Sequence, residues 1–249
     1  MLEFFTNENL YLPLLATLGA SLAVIGFQAL NRYENEMKQR IYAVNYMLDV
    51  AYRILSSTLV VKNHTIVPHI ESTKRILKGD PDLLEQMLLT DEFDILKASP
   101  MGFSHLPNEF KVLLGYDDIE LVQKFDAFLY VYGTDENRTH LNEFVKFNLK
   151  KVNEFLSKEK KEREDILNTY WDILESLDHE TRRVLVFVRD MLLPTLSQYL
   201  RRYQFYLFRT SAANRKIKSI ISLIENHCDS FPEEGYMDKV KQGGIQGAL

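Results

Sequence analysis

The sequence predicts an all-α protein: an N-terminal transmembrane helix that continues into a cytoplasmic antiparallel bundle of long helices with a small helical insert. No charged residue lies between Glu8 and Arg32. Beyond that segment, apolar residues recur at intervals of three and four, as they do on one face of a helix. Strand signals are confined to one short stretch, so no sheet is expected.

The charge-free segment 10–30 is predicted to be a transmembrane anchor. As a helix it would be about 31 Å long, enough to cross the hydrocarbon of a bilayer. A cleaved signal peptide would have a basic start and a cleavage site of small residues, and this chain shows neither. A buried core helix would normally carry a wider polar stripe than Thr17, Ser21 and Gln28 provide.

The distribution of basic residues predicts the orientation of the anchor. Its N-terminal flank has no Lys or Arg, whereas its C-terminal flank has Arg32, Lys38 and Arg40. The positive-inside rule then places the C-terminal flank in the cytoplasm, and a bacterial inner membrane is the expected location. The predicted parts are an extracytoplasmic N-terminus 1–9, a single transmembrane helix 10–30, a cytoplasmic helical domain 31–229 and a flexible tail 230–249.

Small residues on the anchor suggest self-association into a homo-oligomer. Gly19 and Ala23 have the spacing that allows two membrane helices to approach closely. The alternative is that such residues are simply common in membrane helices. The candidate contact residues are Ala16, Gly19, Ala20, Ala23 and Gly26.

The next helix is expected to extend the anchor to about Ser57, because the apolar positions from Leu30 to Leu55 keep near-heptad spacing. That spacing also allows a coiled coil, although packing within a bundle is the preferred interpretation. The β-branched stretch 56–67 is predicted to be a loop or short strand closed by Pro68. A helix over 68–78 should then end at Gly79.

The remaining elements follow from capping and breaking residues. Asp80 should cap a helix to about 89, and 99–102 forms a turn cluster. Helices are predicted at 107–114 and, from a capping box at Asp117 and Glu120, to about 132. The absence of Pro and Gly predicts one long helix over 135–177. Asp178 is expected to cap a helix that reaches 191, with Pro194 as a kink or as a first-turn residue of the next helix. A last helix is predicted from a cap at Ser211 to about 227.

No catalytic signature is present, so the chain is predicted not to be an enzyme and to need no cofactor. It lacks a phosphate-binding glycine loop, a Gly-x-Ser-x-Gly elbow and a His-Glu-x-x-His helix. The single cysteine, Cys228, excludes an internal disulfide.

Two carboxylate–histidine pairs are weak candidates for a metal site. Glu136 with His140, and Glu175 with His179, have the i,i+4 spacing that places both side chains on one helix face. If their helices were neighbours, the four side chains could bind a metal ion. The preferred interpretation is two solvent-facing pairs, and no metal site.

A basic and aromatic segment, 199–218, is the strongest candidate binding surface. Its cations could contact anionic lipid headgroups, or nucleic acid with Tyr203 and Phe205 as stacking surfaces. In a third interpretation the aromatic side chains belong to the core. The cations concerned are Arg201, Arg202, Arg209, Arg215, Lys216 and Lys218.

Three functions remain open at this point. The preferred one is a membrane-anchored protein that acts through protein–protein contact as a scaffold, regulator or sensor subunit. The second is a membrane effector, such as a toxin-like or defence protein, that oligomerises through its anchor. The third, less favoured, is a membrane-tethered nucleic-acid binder that uses 199–218.

Overall fold

The protein is all-α throughout the part that the structure describes. The structure is a computed structural model, and it describes residues 8–79, 83–84, 86–87, 106–115, 118–133, 136–203 and 207–232. Within these ranges every regular element is helical and no strand occurs. The predicted fold class is thus confirmed at this level.

The first helix, α1, spans Glu8–Val61, which makes it 54 residues long. Its length is about 81 Å at the usual rise per residue. Two hydroxyl groups in its apolar part bond within the helix: Thr17 Oγ1 donates to the Pro13 carbonyl at 2.7 Å, and Ser21 Oγ to the Thr17 carbonyl at 2.8 Å. The predicted unbroken continuation to about residue 57 is confirmed, and the helix extends beyond it to Val61.

The loop or strand predicted for 56–67 is wrong. The chain remains helical there, through a π-helical segment π1 (Lys62–Ile66) and into α2 (Val67–Leu77). Thr58 and Ile66 are buried, so packing against other helices outweighs the weak preference of β-branched residues for strands. The wider π turn directly precedes Pro68, whose ring would clash with the carbonyl four residues earlier in a regular helix.

Helix α2 ends as predicted. Gly79 has a φ of +106°, a left-handed conformation that side chains disfavour, and its N–H donates to the Ile76 carbonyl at 3.0 Å. The expected cap at Asp80 and the turn cluster 99–102 lie outside the described residues.

Two short helices come next among the described residues, the first of them within the helical insert predicted near 68–115. Helix α3 spans Asn108–Gly115 and α4 spans Ile119–Gly133. Their bounds agree with the prediction to within a residue or two, but a different aspartate is seen capping α4. Asp118 Oδ1 accepts a hydrogen bond from the Leu121 N–H at 3.1 Å. Asp117 lies outside the described residues.

The single long helix predicted for 135–177 is wrong. The chain instead forms α5 (Glu136–Phe144), a π-helical segment π2 (Val145–Leu149), α6 (Val152–Leu156) and α7 (Lys160–Val186). Breaks at 150–151 and 157–159 let α5 and α7 contact each other. A straight helix could not bring their apolar residues together, so tertiary packing breaks the helix without Pro or Gly.

The helix starts predicted at Asp178 and Ser211 are also wrong, whereas Pro194 is a first-turn residue, as one of the two alternatives predicted. Asp178 lies inside α7, which leads through the π-helical segment π3 (Phe187–Leu192) into α8 (Leu193–Arg201). Ser211 lies inside α9 (Leu207–Asn226). Neither residue is at a helix end.

The buried apolar residues form two clusters, called here the proximal core and the distal core. The proximal core joins α1 from Met37 to Leu59 with α4, π3, α8 and α9. The distal core joins Ile66 and Ile76 with π2, α6 and the first half of α7. Both α1–α2 and α7–α8 therefore pass from one core to the other.

Candidate functional site

The apolar part of α1 lies outside both cores. Every described side chain from 13 to 33 is exposed, including Leu22 at 67% and Phe27 at 69%. The first buried residue of the helix is Met37. Among the described residues this is the one helix long and apolar enough to cross a membrane. Its exposure argues against the alternative that it is a core helix of this chain.

The small residues of the predicted anchor face open space. A methyl group added at Gly19 or Gly26 would meet no heavy atom within 4 Å. Ala16, Ala20 and Ala23 are exposed as well. This face makes no contact within the described chain, and close approach of a second helix would be unobstructed.

The carboxylate–histidine pairs are not seen to converge. His140 and Glu175 are exposed, and His179 is half-buried. The Glu136 side chain lies outside the described residues. No group of three or more His, Cys, Asp or Glu side chains that could hold a metal ion occurs among those described. Burial, followed by the neighbouring Arg183 and Arg182, lowers the pKa of His179.

The basic segment is divided between core and surface. The Tyr199 and Tyr203 rings are buried, with 5.5 Å between their centroids, so neither offers a face for base stacking. The Arg202 guanidinium lies 5.3 Å from the centre of the Tyr199 ring and 3.1 Å from Asp118 Oδ2. The described aromatic residues of 199–203 therefore pack inward while arginine covers them.

The remaining cations of the segment have different surroundings. Lys216 Nζ contacts Asp49 Oδ1 at 3.1 Å and the Asn45 carbonyl at 3.2 Å, which docks α9 on α1. Arg201, Arg215 and Lys218 are exposed. Arg209 lies in the first turn of α9, and its side chain is outside the described residues.

A buried ion pair that the sequence did not indicate connects α1–α2 to α7. Lys62 in π1 is only 4% exposed, and its ammonium hydrogen-bonds to Asp178 Oδ1. The second Asp178 oxygen, Oδ2, accepts a hydrogen bond from Arg182 Nε at 2.6 Å. One sequence feature could have indicated this pair, namely a lysine on an otherwise apolar helical face. The interpretation of 56–67 as a loop or short strand concealed that face.

This ion pair marks the boundary between the cores. Leu59 belongs to the proximal core and Ile66 to the distal core, and Lys62 lies between them on the same helix. On the opposite helix, Asp178 likewise separates Leu177 from Val184. Burial lowers the pKa of Lys62, and the bond to Asp178 partly opposes that shift. Removing either partner would therefore leave the other charge buried without its counter-charge.

A groove of about 830 Å³ lies between α1 and α3, a short distance past the anchor. Phe110 is among its lining residues, with its ring centroid 5.8 Å from Tyr42 and 5.5 Å from Tyr46. Tyr42 is 65% exposed, and Val112 on the opposite wall is similarly exposed. Exposed aromatic and aliphatic side chains in one concave site are typical of a binding surface.

Comparisons of the chain with protein-family models, with curated proteins and with solved structures give no match.

Proposed function

We propose that this chain is a single-pass membrane protein whose helical domain, an antiparallel bundle, acts in the cytoplasm through protein–protein contact. It would serve as a scaffold, regulator or sensor subunit. The observation that carries the proposal is α1 itself: its described side chains from 13 to 33 are all exposed, whereas its second half packs one face into the proximal core. A helix of this kind joins a bilayer rigidly to a folded domain.

The lone cysteine provides a test of the orientation. Cys228 is exposed and is the chain's one thiol. With the helical domain in the cytoplasm, a membrane-impermeant maleimide should label Cys228 in intact cells only after permeabilisation. A Cys228→Ser variant that carries Asn7→Cys should show the reverse pattern, with label before permeabilisation. Labelling of Cys228 in intact cells would contradict the proposed orientation.

The groove between α1 and α3 supports a protein partner. Residues of two helices line it, among them Phe110 and the exposed Tyr42 and Val112. An amphipathic helix is the peptide form that fits an apolar groove between two helices. We propose such a helix, from a partner protein, as its occupant.

Site-specific photo-crosslinking tests this surface. A photoreactive residue in place of Tyr42 should give a discrete adduct in the native membrane, and Phe110→Ala should weaken it because an aromatic ring of the groove lining is lost. Tyr52 provides the matched control, since it is an exposed tyrosine on the same helix outside the groove. Equal adducts from positions 42 and 52, or none from 42, would contradict the groove as the contact surface.

A second function, that of a membrane effector assembled through the anchor, is favoured by the open small-residue face around Gly19. Overexpression should then depolarise the host membrane, and Gly19→Leu should relieve the effect by blocking close helix approach. Phe27→Leu, on the same exposed helix, should leave it unchanged. An unaltered membrane potential on overexpression would exclude this function.

A role in binding nucleic acid has less support. Tyr203, one of the two stacking candidates, is buried, and Lys216 is engaged by Asp49.

A further inference from the structure

The direction of α7–α8 relative to α1 can be deduced from the ion pair. Asp178 lies opposite Lys62, and the later residues of this helical stretch join the proximal core, together with the earlier residues of α1. The two stretches therefore run in opposite directions. Arg201 lies 23 residues after Asp178, and Gln39 lies 23 residues before Lys62. By this count the end of α8 lies level with residue 39 of α1.

The contacts of α9 with α1 independently indicate which part of α1 lies level with the start of α9. Lys216 contacts Asp49, and Ser230 contacts Asn63 through a 2.9 Å hydrogen bond between side chains. Both sequence numbers rise by 14, so α9 and the short turn after it run parallel to α1. Counting back seven residues from Lys216, which lies between Asn45 and Asp49, places Arg209 level with about residue 40.

Helix α4 agrees with this arrangement. Asp118 at its start contacts Arg202, Lys124 Nζ contacts Thr195 Oγ1 at 3.4 Å, and the Phe128 ring stacks on Phe187 with 5.7 Å between centroids. Helix α4 therefore runs antiparallel to α8 and π3. The contacts of α7–α8 and of α9 with α1 thus place the end of α8 and the start of α9 at the end of the domain nearest the apolar segment of α1.

This end lies within reach of a bilayer surface. Residues 39–40 follow Leu30, the last apolar residue of the anchor, by nine or ten positions. Along a helix this is about 14 Å. The headgroup layer occupies roughly 5–7 Å of it, and an extended arginine side chain spans most of the remainder, as snorkelling arginines do at membrane surfaces. Arg215 and Lys218 lie level with residues 46–49, about 24–28 Å from Leu30, which is too far.

We propose that the exposed guanidinium groups of Arg201 and Arg202, at the end of α8, bind the phosphates of anionic lipids in the leaflet where the anchor emerges. This inference rests on the proposed membrane insertion of α1. The proposal divides the cations of 199–218 by their position along α1. Those nearest the anchor face lipid, whereas the later ones face water, except Lys216, which contacts Asp49. The two contacts would fix the domain against the membrane and hold the orientation of the groove relative to it.

Fluorescence quenching in reconstituted vesicles tests the proposal. The full chain carries a fluorophore at Gln198→Cys in a Cys228→Ser background, or at Cys228 itself, and a fraction of the lipids carries a spin label on the headgroup. Gln198 is exposed and lies about one turn before Arg201, whereas Cys228 lies at the far end of α9. In vesicles with about one-third phosphatidylglycerol, quenching at 198 should be at least about two-fold stronger than in pure phosphatidylcholine. Quenching at 228 should be absent in both.

Two double variants distinguish direct contact of Arg201 and Arg202 with headgroups from a general effect of the positive charge of the segment. Arg201→Gln with Arg202→Gln should remove the phosphatidylglycerol-dependent quenching, as should about 0.5 M salt, which screens exposed charges. Arg215→Gln with Lys218→Gln removes the same charge from the same segment and should leave the quenching intact. Arg201→Gln alone, which keeps the Arg202–Asp118 contact, should give an intermediate loss in a fully folded domain.

Three results would overturn the proposal: equal quenching in both lipids, equal loss in the two double variants, or loss of the phosphatidylglycerol-dependent quenching when inorganic phosphate replaces chloride at constant ionic strength. The last would identify free phosphate as the ligand. Carbonate washing separates this failure from failure of the anchor. Wild-type protein that is released by carbonate contradicts membrane insertion itself, whereas retained protein without quenching contradicts the headgroup contact alone.

Discussion

Replacing Asp178 with alanine is expected to lower the free energy of unfolding of the helical domain by about 3–5 kcal/mol. Asp178 neutralises Lys62, which is almost fully buried at the boundary of the two cores. Without it, the ammonium group would remain inside the protein with no counter-charge at that position. Equilibrium denaturation in detergent, followed by circular dichroism, measures the loss.

Two control variants distinguish this cause from a general loss of packing. Arg182→Ala removes the half-exposed partner of the same carboxylate and should cost only about 1 kcal/mol or less. Lys62→Met combined with Asp178→Leu replaces the pair by apolar residues and should recover most of the stability. If the double variant were as unstable as Asp178→Ala, the buried charge would not be the source of the effect.

Introducing Leu22→Arg with Ile25→Arg should abolish stable membrane insertion. Each change replaces an apolar residue near the middle of the anchor by a charge, at a combined cost of about 6–8 kcal/mol on insertion scales. Both side chains are exposed along α1, so the helical domain itself loses no packing. The fraction of protein that remains in membranes after carbonate washing measures the effect.

Asn31→Arg with Asn35→Arg provides the matched control. Both residues are exposed on the same helix, beyond the apolar segment and beside Arg32. These arginines would lie at the predicted cytoplasmic interface and should leave insertion unchanged or strengthen it. Retention of the Leu22→Arg/Ile25→Arg protein in washed membranes would contradict the assignment of this segment as the anchor.

The helical elements show where sequence patterns are sufficient. The positive φ of Gly79 and the ends of α3 and α4 agree with local rules, because the backbone conformation of a glycine and the end of a short helix depend on neighbours in the chain. The breaks at 150–151 and 157–159 had no local signal. They exist because α5 and α7 must pack against each other, which is a property of the folded chain.

The candidate site, like the helices, was predictable only where it depends on residues close together in the chain. The sequence identified the long apolar helical segment and the cations of 199–218, but it could not show that Lys216 docks on Asp49 while Arg201 remains exposed. The Lys62–Asp178 pair spans 116 positions in the chain. The groove needs α1 and α3 side by side. Such long-range neighbours leave no periodic trace in a single sequence.

The sequence alone determined the helical class, one segment apolar enough for a bilayer, and the continuation of that segment into the domain. These properties depend on composition and on spacings of three and four residues, which act over one or two helical turns. The tertiary structure decided where the long helices break, which charges are buried and which end of the basic segment lies nearest the anchor. Those outcomes depend on which helix faces meet, because burial and charge pairing are set by residues far apart in the chain.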